Sequence, residues 1–507
     1  MSTMHKKLSA YPKNILGGIR RGIEKEGLRV QPSGDLALTP HPAALGSALT
    51  HPSITTDYSE SQIELVTGAH LGVQQCLDEL TQIHQFALRT LREQGDETLW
   101  VSSMPSRLPT DETIPLARYG GSNVGRAKSV YRMGLGHRYG RRMQTICGIH
   151  YNWSMPGVTS EQYFSLIRNF RRHAFVLLYL FGASPALCPC FAEGRPHALQ
   201  RLSNDALYLP HATSLRMGRL GYQSDAQATL AVSYNGLQGY ADSLHEALTT
   251  PYPAYEAVGI RNPGGDYNQL GTSLLQIENE FYGTIRPKRV IQPGERPLHA
   301  LRERGVEYVE VRLMDLDPFV SVGITAQTMR LLDVFLLHCL LSDSPPDTPA
   351  EITELKRNQH LTAERGREAG LCLLRQGHSV RLTDWAQEVL SECAPLAQAL
   401  DATHACTDYS TALASAVALL GQPTETPSAR VLDHMAREHG NNFTTFTLAQ
   451  SNQARAALLD MPWSAERQAH YEALAAQSLA AQKAIEDADT QPFEAWRQHY
   501  MAAQGLG

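Results

Sequence analysis

The stretch Arg20-Arg21-Gly22-Ile23-Glu24-Lys25-Glu26-Gly27-Leu28-Arg29-Val30 sets the reading of the whole chain. On a β-strand, side chains alternate between faces, so Glu24 and Glu26 project the same way, about 7 Å apart. Ile23 and Leu28 bracket them and mark the segment as partly buried. Two carboxylates on one buried face repel each other, and burial penalises each charge. Divalent cations such as Mg²⁺, whose preferred ligands are carboxylate oxygens, answer that repulsion. The alternative is a solvated face whose acids pair with Arg21, Lys25 or Arg29.

Working outward, further segments carry acids, amides or imidazoles in β-like surroundings. Asp57 follows Ile54-Thr55-Thr56, and Glu64 lies in Gln62-Ile63-Glu64-Leu65-Val66. Over 144–154, strand alternation places Gln144, Ile146, Gly148, His150, Asn152 and Ser154 on one face, opposite Ile149, Tyr151 and Trp153. Gly148, lacking a side chain, lets a ligand approach the backbone. His150 reads either as a ligand or as a satisfied core histidine. Over 276–282, Gln276, Glu278, Glu280 and Tyr282 share a strand face, followed by the basic cluster Arg286, Lys288 and Arg289, which suits phosphate. In 306–315, Glu310 and Arg312 share a face opposite Val309, Val311 and Leu313, as a buried ion pair or as a metal ligand beside a phosphate-binding guanidinium. Each cluster alone is weak. Together they describe a sheet with one charged inner face that needs cations and an anionic substrate to fill it. There is no Walker A loop and no G-x-S-x-G elbow, so phosphates are expected on metals and arginines.

The chain has 507 residues, 42% hydrophobic and 19% charged, with a net charge of −6. That is ordinary for a globular enzyme and offers no electrostatic footprint for nucleic acid or an anionic membrane. The eight cysteines are scattered, with only Cys188-Pro189-Cys190 close-set, which predicts reduced thiols. Residues 1–14 lack an apolar signal-peptide core, and the most apolar run, 174–187, is broken by Gly182, Ser184 and Pro185. The expectation is a cytoplasmic protein. Strands are predicted at 22–30, 54–58, 63–67, 145–154, 274–282 and 307–313. Helices are predicted at 74–94, 162–181 with Gly182 as C′ residue, and 326–341. After a turn-rich break at 345–349 the chain reads as helices throughout, the last long one at 464–487 capped by Ser464 with Glu466 in its first turn.

Ten segments in order make the chain similar to the glutamate–cysteine ligases of proteobacterial type: EKEGLRV (24–30), HPAALGSALTH (41–51), ITTD (54–57), YGGSN (119–123), QT with HYN (144–145, 150–152), LFGASPA (180–186), ATSLR (212–216), QIENE (276–280), IRPKR (285–289) and EYVEVR (307–312). The match is dense to about residue 340 and looser beyond. The resemblance implies an α+β fold: a curved antiparallel or mixed sheet forming a funnel-like active site akin to glutamine synthetase, with helices outside and a helical C-terminal third. Residues 1–340 would form the catalytic region and 341–507 a helical region packed on it, as two parts or one continuous unit. It implies ATP-dependent formation of γ-glutamylcysteine through a γ-glutamyl phosphate, with Mg²⁺, or Mn²⁺ in its place. The metal-binding residues would be Glu24, Glu26, Asp57, Glu64, Glu310 and His150. The substrate groups would be Tyr131, Leu135, Gln144, Asn152, Arg216, Tyr222 and Tyr282, and the nucleotide groups Arg312, Lys288, Arg286 and Glu278. Arg312, Glu310 and Glu24 would carry the chemistry, in a monomer that binds glutamate, cysteine and ATP and neither nucleic acid nor membrane. Two alternatives stay open at this point: a ligase joining glutamate to another amine, and a non-catalytic metal- or nucleotide-binding regulator.

Overall fold

The computed structural model describes residues 7–8, 11–221, 226–292 and 294–506. Among the described residues, twelve strands occur in chain order: β1 Arg20–Val30, β2 Ile54–Thr56, β3 Gln62–Val66, β4 Thr98–Leu99, β5 Ile149–Ser154, β6 Ala186–Leu187, β7 Gln200–Ser203, β8 Ala206–Tyr208, β9 Ile285–Lys288, β10 Tyr308–Met314, β11 Cys372–Arg375 and β12 His378–Arg381. The main sheet runs β2-β3-β1-β5-β10-β9, with β4 attached to β1, and its pairings are antiparallel. Strands β6, β8 and β7 form a small second sheet, and β11 with β12 a hairpin. The architecture is therefore α+β, with helices against one face of an open antiparallel sheet.

Alternation decides which face is which. Ile23 of β1, Ile149, Tyr151 and Trp153 of β5, and Val309 and Val311 of β10 are all fully buried. They point to the helices Val73–Glu93, Ser160–Phe181 and Ala326–Leu341, which pack on this side. Arg21, Lys25 and Arg29 of β1 share this helical face and find partners there, while Arg20 is exposed and donates to the Ala69 carbonyl. Arg21 pairs with Asp333 at 3.1 Å, Lys25 meets His84 at 2.8 Å, and Arg29 pairs with Glu97 at 2.8 Å. The solvated alternative for β1 is thereby excluded, because no base on that strand reaches across to Glu24 or Glu26. Asp333 also accepts from the Tyr151 hydroxyl at 2.8 Å. Breaking a buried pair strands a charge, so Asp333→Ala is expected to cost about 3–5 kcal/mol in chemical denaturation, whereas an apolar replacement of both partners recovers most of it.

Several elements differ from the sequence expectation. Residues 274–282 form no strand. They run as a loop with one 3₁₀ turn, Glu278–Glu280. The alternating acids there serve buried contacts instead: Glu280 accepts from Arg138 at 2.8 Å, Tyr139 at 2.6 Å and the Gln276 amide at 2.7 Å. Strand β5 starts only at Ile149, and Gln144 ends a short helix, Arg141–Gln144. The basic stretch 285–289, outside the expected strands, contains edge strand β9, whose Pro287 sits where no further strand needs its N–H. Gly182 follows the helix Ser160–Phe181 but keeps φ at −60°. It is needed for close approach, since a Cβ there would lie 2.6 Å from both the Leu178 and Thr213 carbonyls.

Beyond residue 345 the chain is helical apart from the β11–β12 hairpin, which the composition did not reveal. Ser464 caps the helix Ala465–Ala488 through the Arg467 amide. These late helices fold back onto the early ones. Phe443–Asp460 packs on Val73–Glu93, and Phe493–Met501 on Asn123–Tyr139. One hydrophobic core runs from Leu16 through Trp153 and Trp385 to Tyr471. Among the described residues, no helix is long and apolar enough to cross a membrane.

Candidate active site

The sheet face opposite the helices gathers charged side chains from five adjacent strands, β3, β1, β5, β10 and β9. Register places Glu26 beside Glu64, Glu24 beside His150, Asn152 beside Glu310, and Glu310 beside Arg286. The side chains converge accordingly. His150 Nδ1 lies 3.1 Å from Glu24 Oε2 and 3.9 Å from Glu310 Oε1, and its Nε2 lies 3.6 Å from Glu26 Oε1. Asn152 donates to Glu24 at 2.9 Å, and the Gly148 amide to Glu26 at 2.6 Å. Glu24, His150 and Glu310 offer ligand atoms that all lie within 4.8 Å of one another. On the β9–β10 side, Lys288 Nζ is 3.3 Å and Arg312 Nη1 3.2 Å from the Glu310 carboxylate.

The acids divide electrostatically. Burial and Glu310 push Glu24 up, yet its hydrogen bond and charge interaction with His150, with Lys288 behind, leave it below the ordinary carboxylate range. Burial also opposes ionisation of Glu310, but Lys288, Arg312 and His150 hold it well below that range. Glu26 is pushed up to about 8 by burial and by Asp57. Burial, Glu24, Asp57 and Glu26 raise Glu64 well above its usual value. Asp57 thus belongs to the group electrostatically, and its carbonyl is fixed by Tyr119 at 2.9 Å and by Arg132. Burial and Arg312 keep His150 below the normal imidazole range.

Beside the acids lies a second set of polar groups. Arg216 is fully buried, donates to the Arg312 carbonyl at 2.8 Å and faces Asp315 at 3.8 Å. Gly148, expected to leave room for a ligand, leaves room for Arg216 instead: a Cβ there would lie 2.0 Å from Nη2. Gly148→Ala is expected to displace this guanidinium and lower ligase turnover about 10²-fold in steady-state assays, with the melting temperature little changed. Gln144 Nε2 donates to the Tyr282 hydroxyl at 2.8 Å. Tyr131 is close enough to Tyr282 and Glu280 for burial and their charges to raise it. Leu135 is buried one turn beyond Tyr131 on the helix Asn123–Tyr139. Arg216, Met217, Tyr282, Gly283, Thr284, Arg312 and Gln359 line a cavity of about 60 Å³. A larger one of about 560 Å³ shares Tyr282, Gly283, Thr284 and Gln359 with it.

Two predicted nucleotide groups have other occupations. Glu278 accepts from Arg296 at 2.8 Å and from the Leu298 amide at 3.1 Å. Arg286 donates to the carbonyls of Asn279 (2.9 Å) and Phe281, bracing the loop that carries Tyr282. Tyr222 lies outside the described residues. Sequence reasoning gave no role to Asp315, which accepts from Ser184 and Ser214 at 2.6 and 2.9 Å behind Arg216. A register shift between Val311 and Met314 breaks the alternation that would have flagged it. Gln359 carried no local signal, because it sits on the helix Pro349–Arg365 in the C-terminal third.

A solved relative shares this arrangement of sheet and helices. The crystal structure of glutamate–cysteine ligase from Francisella tularensis in complex with AMP aligns with a TM-score of 0.91 and 35% identity, covering 97% of this chain and 99% of that one. A bifunctional glutathione synthetase from Pasteurella multocida shares the fold at a TM-score of 0.71 and 22% identity, covering 93% of this chain and 58% of that one. Fold and site together define an ATP-dependent ligase. The glutamate–cysteine ligase family profile matches residues 6–362. Glutamate–cysteine ligases from Alcanivorax borkumensis (46% identical, 98% of both chains) and Pseudomonas aeruginosa (48%, 95% of this chain and 94% of that one) align over nearly their full lengths. The chain belongs to the glutamate–cysteine ligase family. It is an enzyme of glutathione biosynthesis that forms γ-glutamylcysteine from glutamate, cysteine and ATP, and the alternatives of another amine or a non-catalytic regulator are not favoured.

Proposed function

We propose that the acidic sheet face holds Mg²⁺, with Mn²⁺ able to replace it, through Glu24, Glu26, Asp57, Glu64, His150 and Glu310. The observation that carries this reading is the convergence of mutually repelling carboxylates on His150. The donor chemistry fits a hard cation, and Asn152 Oδ1 and His150 Nε2 are buried without a hydrogen-bond partner. Bound Mg²⁺ would neutralise phosphate charge on ATP.

The residues then divide the work. The γ-phosphoryl group passes to the side-chain carboxylate of glutamate, ADP departs, and the cysteine amine attacks the acyl phosphate, releasing phosphate. Arg312, with Lys288 behind it, stabilises charge on the transferring group. Arg216 grips a substrate carboxylate, positioned by Asp315. Tyr131, Leu135, Gln144 and Tyr282 enclose cysteine, with Asn152 orienting Glu24. We assign Arg286 and Glu278 to bracing the 276–284 loop and not to the nucleotide. Residues 1–340 supply the chemistry, and the helical remainder supports it while contributing Gln359 to the cavity wall. We take the working unit to be a monomer acting on small molecules, without membrane or nucleic acid. We place it in the cytoplasm, where ATP and reduced cysteine are both at hand.

The test uses pH. Without metal, Glu26 titrates at about 8, above its ordinary 4.5. The folded state therefore holds a proton that the unfolded state has lost, and this contribution to stability falls as pH rises from about 4.5 through 8. Mg²⁺ must displace that proton at about pH 6.5 and not at about pH 9. Its apparent affinity should therefore rise with pH, up to about tenfold per unit for each proton released, and calorimetry in two buffers should show the release. A pH-independent affinity across this range overturns the metal assignment.

A further inference from the structure

We infer that the chain carries a second metal site, for a thiophilic divalent cation of the Zn²⁺ class, built from His173, His338 and Cys339 on the helical side of the sheet. His173 lies on the helix Ser160–Phe181, and His338 with Cys339 on Ala326–Leu341. Their ring nitrogens and thiol offer atoms that all lie within 4.8 Å of one another. His338 and Cys339 are fully buried. Nδ1 of His173 and Nδ1 of His338 are both buried with no hydrogen-bond partner, a costly arrangement for polar atoms.

The surroundings complete the design. His338 Nε2 meets the Glu392 carboxylate at 2.8 Å and Ser342 Oγ at 3.3 Å. That carboxylate fixes the proton on Nε2 and leaves Nδ1 as a lone-pair donor, the carboxylate–histidine–metal arrangement. The two rings lie 5.6 Å apart, and Trp385 packs edge-on against His173. A cavity of about 270 Å³, lined in part by His173, Ser342, Trp385 and Glu392, opens beside His173. Two imidazoles and a thiolate select Zn²⁺ or Co²⁺ over Mg²⁺. Binding replaces the Cys339 thiol proton, which leaves to solvent. The site would tie together the helices Ser160–Phe181 and Ala326–Leu341, with Leu382–His404 behind them through Glu392.

Cobalt titration of the chelator-treated full chain tests this. One equivalent of Co²⁺ should give a thiolate-to-metal charge-transfer band together with tetrahedral d–d bands. Cys339→Ser should abolish the charge-transfer band, while Cys147→Ser, next to the acidic face, should retain it. Glu392→Gln changes a carboxylate on a largely exposed side chain and should leave the fold intact, yet weaken Zn²⁺ binding about 10-fold or more. Zn²⁺ should raise the melting temperature of the parent protein and not that of His173→Ala. No sulfur band at one equivalent, or a band unchanged in Cys339→Ser, overturns the inference, as does Zn²⁺ affinity in Glu392→Gln equal to the parent's.

Discussion

Arg312→Ala is expected to lower turnover about 10³-fold, with a much smaller effect on folding. Preorganised cations aimed at a transferring phosphoryl group contribute 10²-fold or more, because their field acts where charge develops and needs no reorganisation. Arg312 fits that task. Its guanidinium lies 3.2 Å from Glu310 and 3.4 Å from His150, at the centre of the acidic face. Its side chain remains 20% exposed, so it faces the site and not the core. Loss of the side chain leaves Glu310 with Lys288 at 3.3 Å, so no buried acid loses its last cation. Arg312→Lys keeps the charge and loses the planar fork, and should fall between the parent and the alanine variant. Steady-state kinetics with ATP, glutamate and cysteine separates the two. A fall of less than about tenfold in the alanine variant would remove Arg312 from the chemistry.

Much of this site was legible because a strand has a period of two. Glu24 and Glu26 in β1, His150 and Asn152 in β5, and Glu310 and Arg312 in β10 each follow their alternation, and antiparallel register brings them together. The opposite face was legible by the same rule through Ile149, Tyr151 and Trp153. Alternation misled where another force set the backbone. Glu278 and Glu280 alternate in sequence, yet Arg296 and Arg138 hold them in a loop. Asp315 escaped because the register shifts just before it. The sequence showed that Gly148 makes space but not that Arg216, 68 positions later, occupies it. Contacts of that kind have no local signature.

The acids themselves separate a metal-holding face from an ordinary ion-pair network, because the two pictures give opposite signs for stability. In Glu64, burial and three neighbouring carboxylates oppose ionisation. Glu64→Gln removes that repulsion, so in the absence of Mg²⁺ it should melt above the parent, as expected when function is maintained against stability. Glu310 is the reverse case, held ionised by Lys288, Arg312 and His150. Glu310→Gln takes away their common anion and should melt lower without Mg²⁺. Yet both variants lose a cation ligand. For Glu310→Gln the loss amounts to several kcal/mol of charge stabilisation, about 10³-fold in turnover. Mg²⁺ should also raise the melting temperature less in either variant than in the parent. Thermal melts with and without Mg²⁺, paired with turnover, test both halves. If Glu64→Gln melts below the parent and keeps its activity, the acids are structural partners and the cation-holding face does not exist.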